Sequence, residues 1–352
     1  MIRLTPHQMD ALDQINAFAD RRRPGFFVLH GLAGTGKTTV ISEATRRHTG
    51  AKLCAPTGKA ASVLTRKTGI PAETVHSAFY RLIGEAEDDD GKLRPVFTLN
   101  HQEAALAKHL VFLDEASMID TRMAEDILHT GACVVACGDP GQLPPVRGSQ
   151  YFTKPNFTLT EVHRQALDSA VLRQAYAVRA GGQYQEDGAD FRVVSRAAPE
   201  DILAADVILC WTNRPRDGAN RRAREIRGIF WAHPRPGEPI VCLKNHHAHG
   251  LFNGAIYTLE RPFLDGDTEM HLLVDGRSVV VRNATFRGLA SPLDPEDIEG
   301  FFDFGYAVTV HKSQGSEWDS VVLVDEYNKI YQRKQWLYTA ITRAAKRMLV
   351  IR

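Results

Sequence analysis

The run Gly31-Leu32-Ala33-Gly34-Thr35-Gly36-Lys37-Thr38 fills every fixed position of the pattern G-x-x-x-x-G-K-[ST]. Its flanks narrow the fold further. Phe26-Phe27-Val28-Leu29-His30 ahead of it reads as a buried strand, and Thr39-Val40-Ile41-Ser42-Glu43-Ala44 behind it reads as a helix. A strand, a glycine loop and a helix in that order let the backbone curl until several N–H groups and a helix N-terminus face one phosphate. Gly34, Thr35, Gly36, Lys37, Thr38 and Thr39 are therefore candidate ligands of a nucleoside triphosphate. Lys37 reaches the terminal phosphates, and the Thr38 hydroxyl is a candidate ligand of Mg²⁺.

The chain has 352 residues, enough for two or more domains, and 43% hydrophobic with 24% charged residues is the balance of a globular protein. No apolar run approaches the roughly 18 residues of a membrane span. The start Met1-Ile2-Arg3-Leu4 has no signal-peptide core, so no membrane association and a cytoplasmic location are expected. Five cysteines (Cys54, Cys133, Cys137, Cys210, Cys242) form an odd set, four of them in apolar strand-like runs, which fits buried thiols in a reducing compartment. Cys133 and Cys137 lack the second ligand pair that a zinc site needs. A net charge of +1 means that any nucleic-acid binding must come from a local groove.

Strand and helix patterns alternate in two stretches, which predicts two parallel sheets. The first has strand candidates at 26–30, 51–55, 109–114 and 133–138. The second has them at 156–159, 207–211, 304–310, 321–325 and 347–351, with helical segments at 166–180 and 331–345. The change of character near residue 150 predicts domains 1–150 and 151–352. Residues 80–105 interrupt the first with a hairpin turning at Asp90-Gly91, and 234–300 interrupt the second with short alternating runs that read as a small all-β insert. At the N-terminus, Thr5 and Pro6 read as the cap and first residue of a helix.

The chemistry-bearing residues sit at strand ends. Val111-Phe112-Leu113 runs into Asp114, a candidate metal ligand, and Glu115, which can deprotonate a water attacking the γ-phosphate. Gly138-Asp139-Pro140-Gly141-Gln142-Leu143-Pro144-Pro145-Val146 follows another strand and offers Gln142 as a γ-phosphate sensor on a proline-stiffened loop. Arg164 and Arg343 in the second half can stabilise charge on the transferring phosphoryl group. Supplied from a second domain, they would turn hydrolysis into domain motion. The segment Tyr306 to Trp318 runs a strand into a dense polar turn. Thr309, His311 and Lys312 there can hold strand phosphates, while Gln314, Gly315 and Glu317 can link that contact to nucleotide.

On these motifs the chain resembles superfamily 1 helicases of the RecD-like and Dda-like group, from Gln8 to Arg343 and in family order. The resemblance makes Gln8 the adenine-reading glutamine, Gly31–Thr38 motif I, Ala55–Ala61 motif Ia, Thr74-Val75-His76 motif Ib, Asp114-Glu115-Ala116-Ser117 motif II and Gly138–Val146 motif III. It makes Arg164 the motif IV arginine, Thr309–Glu317 motif V and Arg343 the motif VI arginine. It implies an α/β fold of two tandem RecA-like domains with ATP and Mg²⁺ between them and single-stranded DNA across their top. The 80–105 excursion becomes a pin that splits duplex, 234–300 an SH3-like insert containing the turn Gly250-Leu251-Phe252-Asn253-Gly254, and the direction of movement 5′→3′. The compact chain makes for a short pin.

The candidate DNA contacts are Pro56, Thr57, Lys59, His76, Thr212, Asn213, Phe252, Asn253, Thr309, His311 and Lys312. Hydroxyls and amides grip backbone, whereas Phe97 and Phe252 are either stacking platforms or packing residues; Trp211 and Trp318 read as packing. Single-stranded DNA and junctions are the expected partners of a monomer, together with replication or recombination proteins. A translocase with little unwinding, a P-loop ATPase acting on a protein partner and an RNA substrate stay open as alternatives. The basic segment Arg214 to Arg227 reads equally as a phosphate contact or a solvated face, and His246-His247-Ala248-His249 as a polar turn or a metal site.

Overall fold

The computed structural model describes residues 4–87, 93–100, 110–145, 148–162, 168–246, 249–328 and 332–352. The chain divides into two compact units, 1–166 and 167–352.

Unit 1 begins with α1 (Pro6–Ala19), whose start is fixed reciprocally: the Thr5 hydroxyl accepts from Gln8 N, and the Gln8 side chain accepts from Thr5 N. There follow β1 (Gly25–Gly31), α2 (Lys37–Arg47), β2 (Lys52–Ala55), α3 (Gly58–Thr68), β3 (Ala72–Thr74) and α4 (Val75–Phe79). The hairpin strands β4 (Tyr80–Glu87) and β5 (Leu93–Leu99) come next, then β6 (Leu110–Leu113), α5 (Thr121–His129), β7 (Cys133–Gly138) and β8 (Phe157–Leu159). The sheet runs β3-β2-β6-β7-β1-β8 and is parallel throughout. Its central strands β6 and β7 are apolar and buried at every position because both faces are covered. Leu29, Leu53, Phe112 and Val135 face one cluster with α1, α2 and α3, while Val28, Cys54, Val111 and Val134 face another with α4 and α5.

One expectation is corrected here. The 156–159 strand belongs to the first sheet, not the second: β8 pairs with β1, Leu29 to Gly31 opposite Phe157 to Leu159, and Val28 N donates to the Asn156 side chain at 2.7 Å. The division accordingly falls after Ala166 rather than near 150. The apolar strand looks alike from either side, and only its register with β1 decides its owner. The hairpin pairs antiparallel from Tyr80↔Leu99 to Glu87↔Leu93. Its expected turn at Asp90-Gly91 lies outside the described residues.

Unit 2 contains α6 (Ala170–Arg179), β9 (Phe191–Val194), α7 (Pro199–Leu203), β10 (Val207–Cys210) and α8 (Asn213–Ile226). Six strands follow: β11 (Pro239–Cys242), β12 (Ile256–Leu259), β13 (Met270–Val274), β14 (Arg277–Val281), β15 (Ala284–Phe286) and β16 (Gly300–Phe304). The chain closes with β17 (Ala307–Thr309), α9 (Val310–Ser313), β18 (Trp318–Val324), α10 (Arg333–Ile341) and β19 (Ala344–Ile351). A second parallel sheet runs β17-β10-β18-β19-β9. The insert is a mixed sheet, β14-β13-β12-β11-β16-β15, antiparallel except for the β15–β16 pair, with its own core of Ile240, Leu259, Leu272, Phe286 and Phe302. It extends to Phe304, four residues past the expected end. The expected 331–345 helix ends at Ile341, because the apolar run that follows is the long strand β19; Arg343 lies in the turn between them.

Candidate nucleotide and nucleic-acid sites

In unit 1 the loop after β1 is held tightly curled. Gly34 and Gly36 adopt φ of 79° and 81°, and a Cβ on Gly31 would come within 2.5 Å of the Thr35 hydroxyl. Thr35 donates its hydroxyl to Leu32 O at 2.9 Å, and Lys37 Nζ donates to the same carbonyl at 3.0 Å, so the lysine lies along the loop it serves. Thr39 follows on the first turn of α2. Gln8 is 3% exposed, and its amide is engaged at both ends, Oε1 by Thr5 N and Nε2 on Thr35 O at 3.0 Å. It therefore ties the start of α1 to the loop, beyond the adenine-reading role expected of it.

The strand ends deliver the acids. β6 places Asp114 so that Thr38 Oγ1 donates to its Oδ2 at 3.3 Å, which joins the two expected metal ligands in one spot. A hydroxyl and a carboxylate are the oxygen donors that Mg²⁺ takes. Glu115 follows in the left-handed region, φ 53°, with its N–H on Asp114 Oδ1 at 2.9 Å. That conformation is uncommon for a non-glycine residue and is frequent at functional sites. At the end of β7, the backbone of Gly138 packs so closely on the acid loop that a Cβ there would meet Ser117 N at 3.1 Å. Asp139, fully buried, accepts from Gly141 N at 2.9 Å and from Gln142 N through its carbonyl at 3.2 Å. This Asx turn fixes Gln142, whose buried Oε1 has no hydrogen-bond partner among the described residues. Asp139 was missed as a site residue because its role is to shape a loop.

The expected strand contacts fall at equivalent places in the two sheets. In unit 1 the edge strand β3 ends in Thr74 and its neighbour β2 is followed, two residues on, by Thr57, and each caps the next helix: Thr57 Oγ1 accepts from Ala60 N at 3.1 Å, and Thr74 Oγ1 accepts from Ser77 N at 3.0 Å. Pro56 and Lys59 flank the first cap, and His76 sits on the short α4 of the second. The His76 ring lies 5.0 Å from Phe97 of the hairpin and 5.2 Å from Tyr80. Burial lowers its pKa. Phe97 combines this packing with 39% exposure.

In unit 2 the edge strand β17 and its neighbour β10 end in Thr309 and, two residues on, Thr212. Thr309 Oγ1 accepts from Lys312 N at 3.4 Å, so the four-residue α9 carries His311 and Lys312 past that cap. Burial lowers the pKa of both. The Phe252–Asn253 turn comes alongside, since a Cβ on Gly254 would lie 3.3 Å from Lys312 O. Phe252 N donates to the Tyr257 hydroxyl and Asn253 N to Asn245 Oδ1.

Thr212 makes no side-chain cap on α8. Instead Glu326 accepts from the backbone N–H of Trp211, at 3.0 Å, and of Thr212; its own burial raises its pKa. Asn213 therefore begins a helix whose N-terminus already faces a carboxylate. Nothing in the spacing of residues 207–213 could have revealed a partner more than a hundred positions away. Trp211 packs on Tyr327, as expected of a packing residue.

Arg343 is 5% exposed and binds the turn holding Gly315 and Glu317: Nη1 donates to Ser316 O and Nε to Thr339 O, both at 3.0 Å. Gly315 has φ 73°, and Trp318 N donates to Arg343 O. Arg343 is thus hydrogen-bonded on both sides of Glu317, to Ser316 and Trp318. Arg164 lies outside the described residues. The five cysteines are buried in strands, with Cys242 pushed up to about 11 and Cys210 to about 12 by burial. His246 and His249 stack at 4.7 Å, yet no group of three or more His, Cys, Asp or Glu with metal-holding geometry occurs among the described residues. No described helix is long and apolar enough to cross a membrane.

Residues 3–191 match the family model of an AAA domain, and residues 304–351 match that of a UvrD-like helicase C-terminal domain. The chain is 29% identical over 381 aligned positions to the ATP-dependent RecD2 DNA helicase of Deinococcus radiodurans, covering 98% of this chain and 48% of that protein. It therefore spans about half the length of this relative. It is 32% identical over 198 positions to the ATP-dependent DNA helicase dda of Enterobacteria phage T4, covering 48% of this chain and 42% of that protein. Among solved structures, the Pif1 helicase from Bacteroides in complex with ADP-AlF3 and ssDNA superposes with a TM-score of 0.66 at 18% identity, covering 99% of this chain and 92% of that one.

Proposed function

We propose that this chain, which belongs to the AAA domain family and to the RecD, Pif1 and Dda group of superfamily 1 helicases, is an ATP-dependent motor that moves 5′→3′ on single-stranded DNA and separates duplex. One observation carries the reading: in each unit, the edge strand of the parallel sheet ends in a threonine that caps a short helix, and its neighbour is followed two residues on by another threonine at the start of a helix. Threonine hydroxyls and the backbone N–H groups beside them grip phosphates without reading bases, and a motor needs such a grip in both units.

In this reading the Gly31–Thr39 loop holds the triphosphate, with Lys37 on its terminal phosphates, and Gln8 holds the loop and the adenine. Thr38 and Asp114 would hold Mg²⁺, which would supply neutralisation of phosphate charge. Glu115 accepts the proton of the attacking water, Gln142 hydrogen-bonds the γ-phosphate, and Arg164 and Arg343 stabilise the charge that builds on the transferring group. Gly315 and Glu317 connect Arg343 to the strand contacts of Thr309, His311 and Lys312. The β4–β5 hairpin is the pin, and the six-stranded mixed sheet is the SH3-like insert that presents Phe252 and Asn253. Direction, the junction substrate, a monomeric state and any replication or recombination partner rest on the group.

The test is strand release from matched duplexes with a single 5′ or 3′ tail. Release from the 5′ tail alone supports the reading. Release from the 3′ tail alone overturns the direction, and hydrolysis stimulated by single strands without release from either identifies a translocase.

A further inference from the structure

The segment Arg214–Arg227 carries six arginines, and four are matched within the fold. Arg216 pairs with Asp303 at 2.9 Å, Arg224 with Glu238 at 2.7 Å and Arg222 with Glu225 at 3.4 Å, while Arg227 donates to the Ala223 and Ile202 carbonyls. Arg214 and Arg221 are exposed and make no hydrogen bond or ion pair among the described residues. They lie two turns apart on one face of α8, about 10 Å along its axis. Arg221 lines a cavity of about 510 Å³ bounded also by Phe230, Trp231, Arg287 and Phe304.

Phe230 and Trp231 are 79% and 63% exposed, yet their loop is anchored from below. Arg224 donates to Trp231 O at 2.6 Å and to His233 O at 2.9 Å, and its guanidinium lies 4.0 Å over the Phe304 ring. Arg235 lies 5.1 Å from the Trp231 ring. The two rings are thus presented to solvent by a buried ion pair. Of the cavity's three carboxylates, Asp217 and Asp303 are satisfied by Arg287 and Arg216 and Glu225 pairs with Arg222, so the charge left over is that of Arg221.

We propose that this cavity is an auxiliary site for an unpaired nucleic-acid strand, one nucleotide of which stacks its base on Phe230 or Trp231 while neighbouring phosphates meet Arg221 and Arg214. Exposed rings beside unmatched guanidinium groups are what a single strand binds. A volume within the roughly 300–1,000 Å³ of ligand sites suits a nucleotide better than the broad face of a folded partner. Helix α8 begins at Thr212 and Asn213, so a strand leaving that contact runs along Arg214 and Arg221 into the cavity. Only the source of the strand rests on the motor reading above.

The test measures binding of a short labelled oligothymidylate, filling one track, and of one several times longer. It uses the full chain and two double variants, Phe230→Ala with Trp231→Ala, and Arg214→Gln with Arg221→Gln. Affinity for the long strand should fall at least about fivefold in each. The arginine pair should also lower the slope of log affinity against log salt by about 1.4, roughly 0.7 for each lost phosphate contact. Short-strand affinity and strand-stimulated hydrolysis should hold, and Trp231→Tyr with Arg221→Lys should restore long-strand binding. Unchanged long-strand affinity overturns the proposal, as does parallel loss for short and long strands. Arg221-dependent binding of a poly-glutamate peptide without effect on long-strand binding also overturns it and assigns the cavity to a protein partner. A parent chain whose ATPase ignores single strands would sink the motor reading alone, since long-strand binding reports on the cavity separately.

Discussion

At the scale of single residues, the site chemistry depends on groups held by very short-range geometry. Lys37 Nζ, 3.0 Å from Leu32 O, needs only to turn from its own loop to a phosphate. Replacing it with alanine should lower kcat by at least about a hundredfold, the effect of deleting one charge-stabilising donor, with the unfolding midpoint unchanged. Steady-state hydrolysis beside a thermal melt checks this, and a variant with intact turnover would remove Lys37 from the site. His76 and His311 set a second expectation. Burial lowers both below the ordinary value of 6.5, so the unfolded chain takes up these protons first. Stability should be full above that value and fall as pH drops through it toward the lower folded values. Urea midpoints at pH 7.5 and 5.5 should differ less in the His76→Gln, His311→Gln double variant; an equal drop would show that these histidines are already solvated. Such residues were legible in the sequence because motif spacing encodes backbone shape, as with Gly34 and Gly36. Asp139 and Glu326 were not, since each acts on a backbone N–H whose identity only the fold reveals.

Among elements, both faces of the first sheet are read directly from runs such as Val111-Phe112-Leu113, whose alternate residues enter opposite cores. Ownership of a short strand is a different matter. Phe157–Leu159 was assigned to the wrong sheet because three residues carry no record of which neighbour they pair with. Strand β9, Phe191–Val194, was overlooked for the same reason: flanked by polar turns, it gains its place only by pairing with β19. The joint between α8 and the mixed sheet rests on the Arg224–Glu238 pair, 9% and 2% exposed at the side chains. Removing one partner leaves the other charge buried, so Arg224→Met should cost about 3–5 kcal/mol of stability. Denaturant unfolding reads it, and a loss within the range of a surface pair would mean that water reaches Glu238. Restoring much of that loss with Glu238→Gln added to Arg224→Met would separate stranded charge from lost packing.

For the whole molecule, the expected duplication of α/β units was legible, whereas its boundary was not, because β8 returns to the first sheet after the 150 region where composition changes. The duplication matters because the proposed chemistry divides between the units: the phosphate loop, Asp114, Glu115 and Gln142 belong to the first, and Arg343 to the second. If Arg343 serves the transferring phosphoryl group, its loss should leave nucleotide binding to the unit 1 loop intact and remove only transition-state stabilisation. Arg343→Ala should then bind a fluorescent ATP analogue with parental affinity while kcat falls about a thousandfold, the low end of an arginine acting on phosphoryl transfer. The substitution also frees the carbonyls of Ser316 and Thr339, so a structural effect must be told apart. Arg343→Lys keeps a charge but cannot span both carbonyls with one planar fork. If the arginine acts on phosphate charge, lysine should recover part of kcat; if it acts by bracing the Gly315–Glu317 turn, lysine should recover none, and single-strand binding should weaken in both variants. Full turnover in Arg343→Ala would mean that the second unit contributes no charge to hydrolysis, and the two sheets would have to be coupled by some other group.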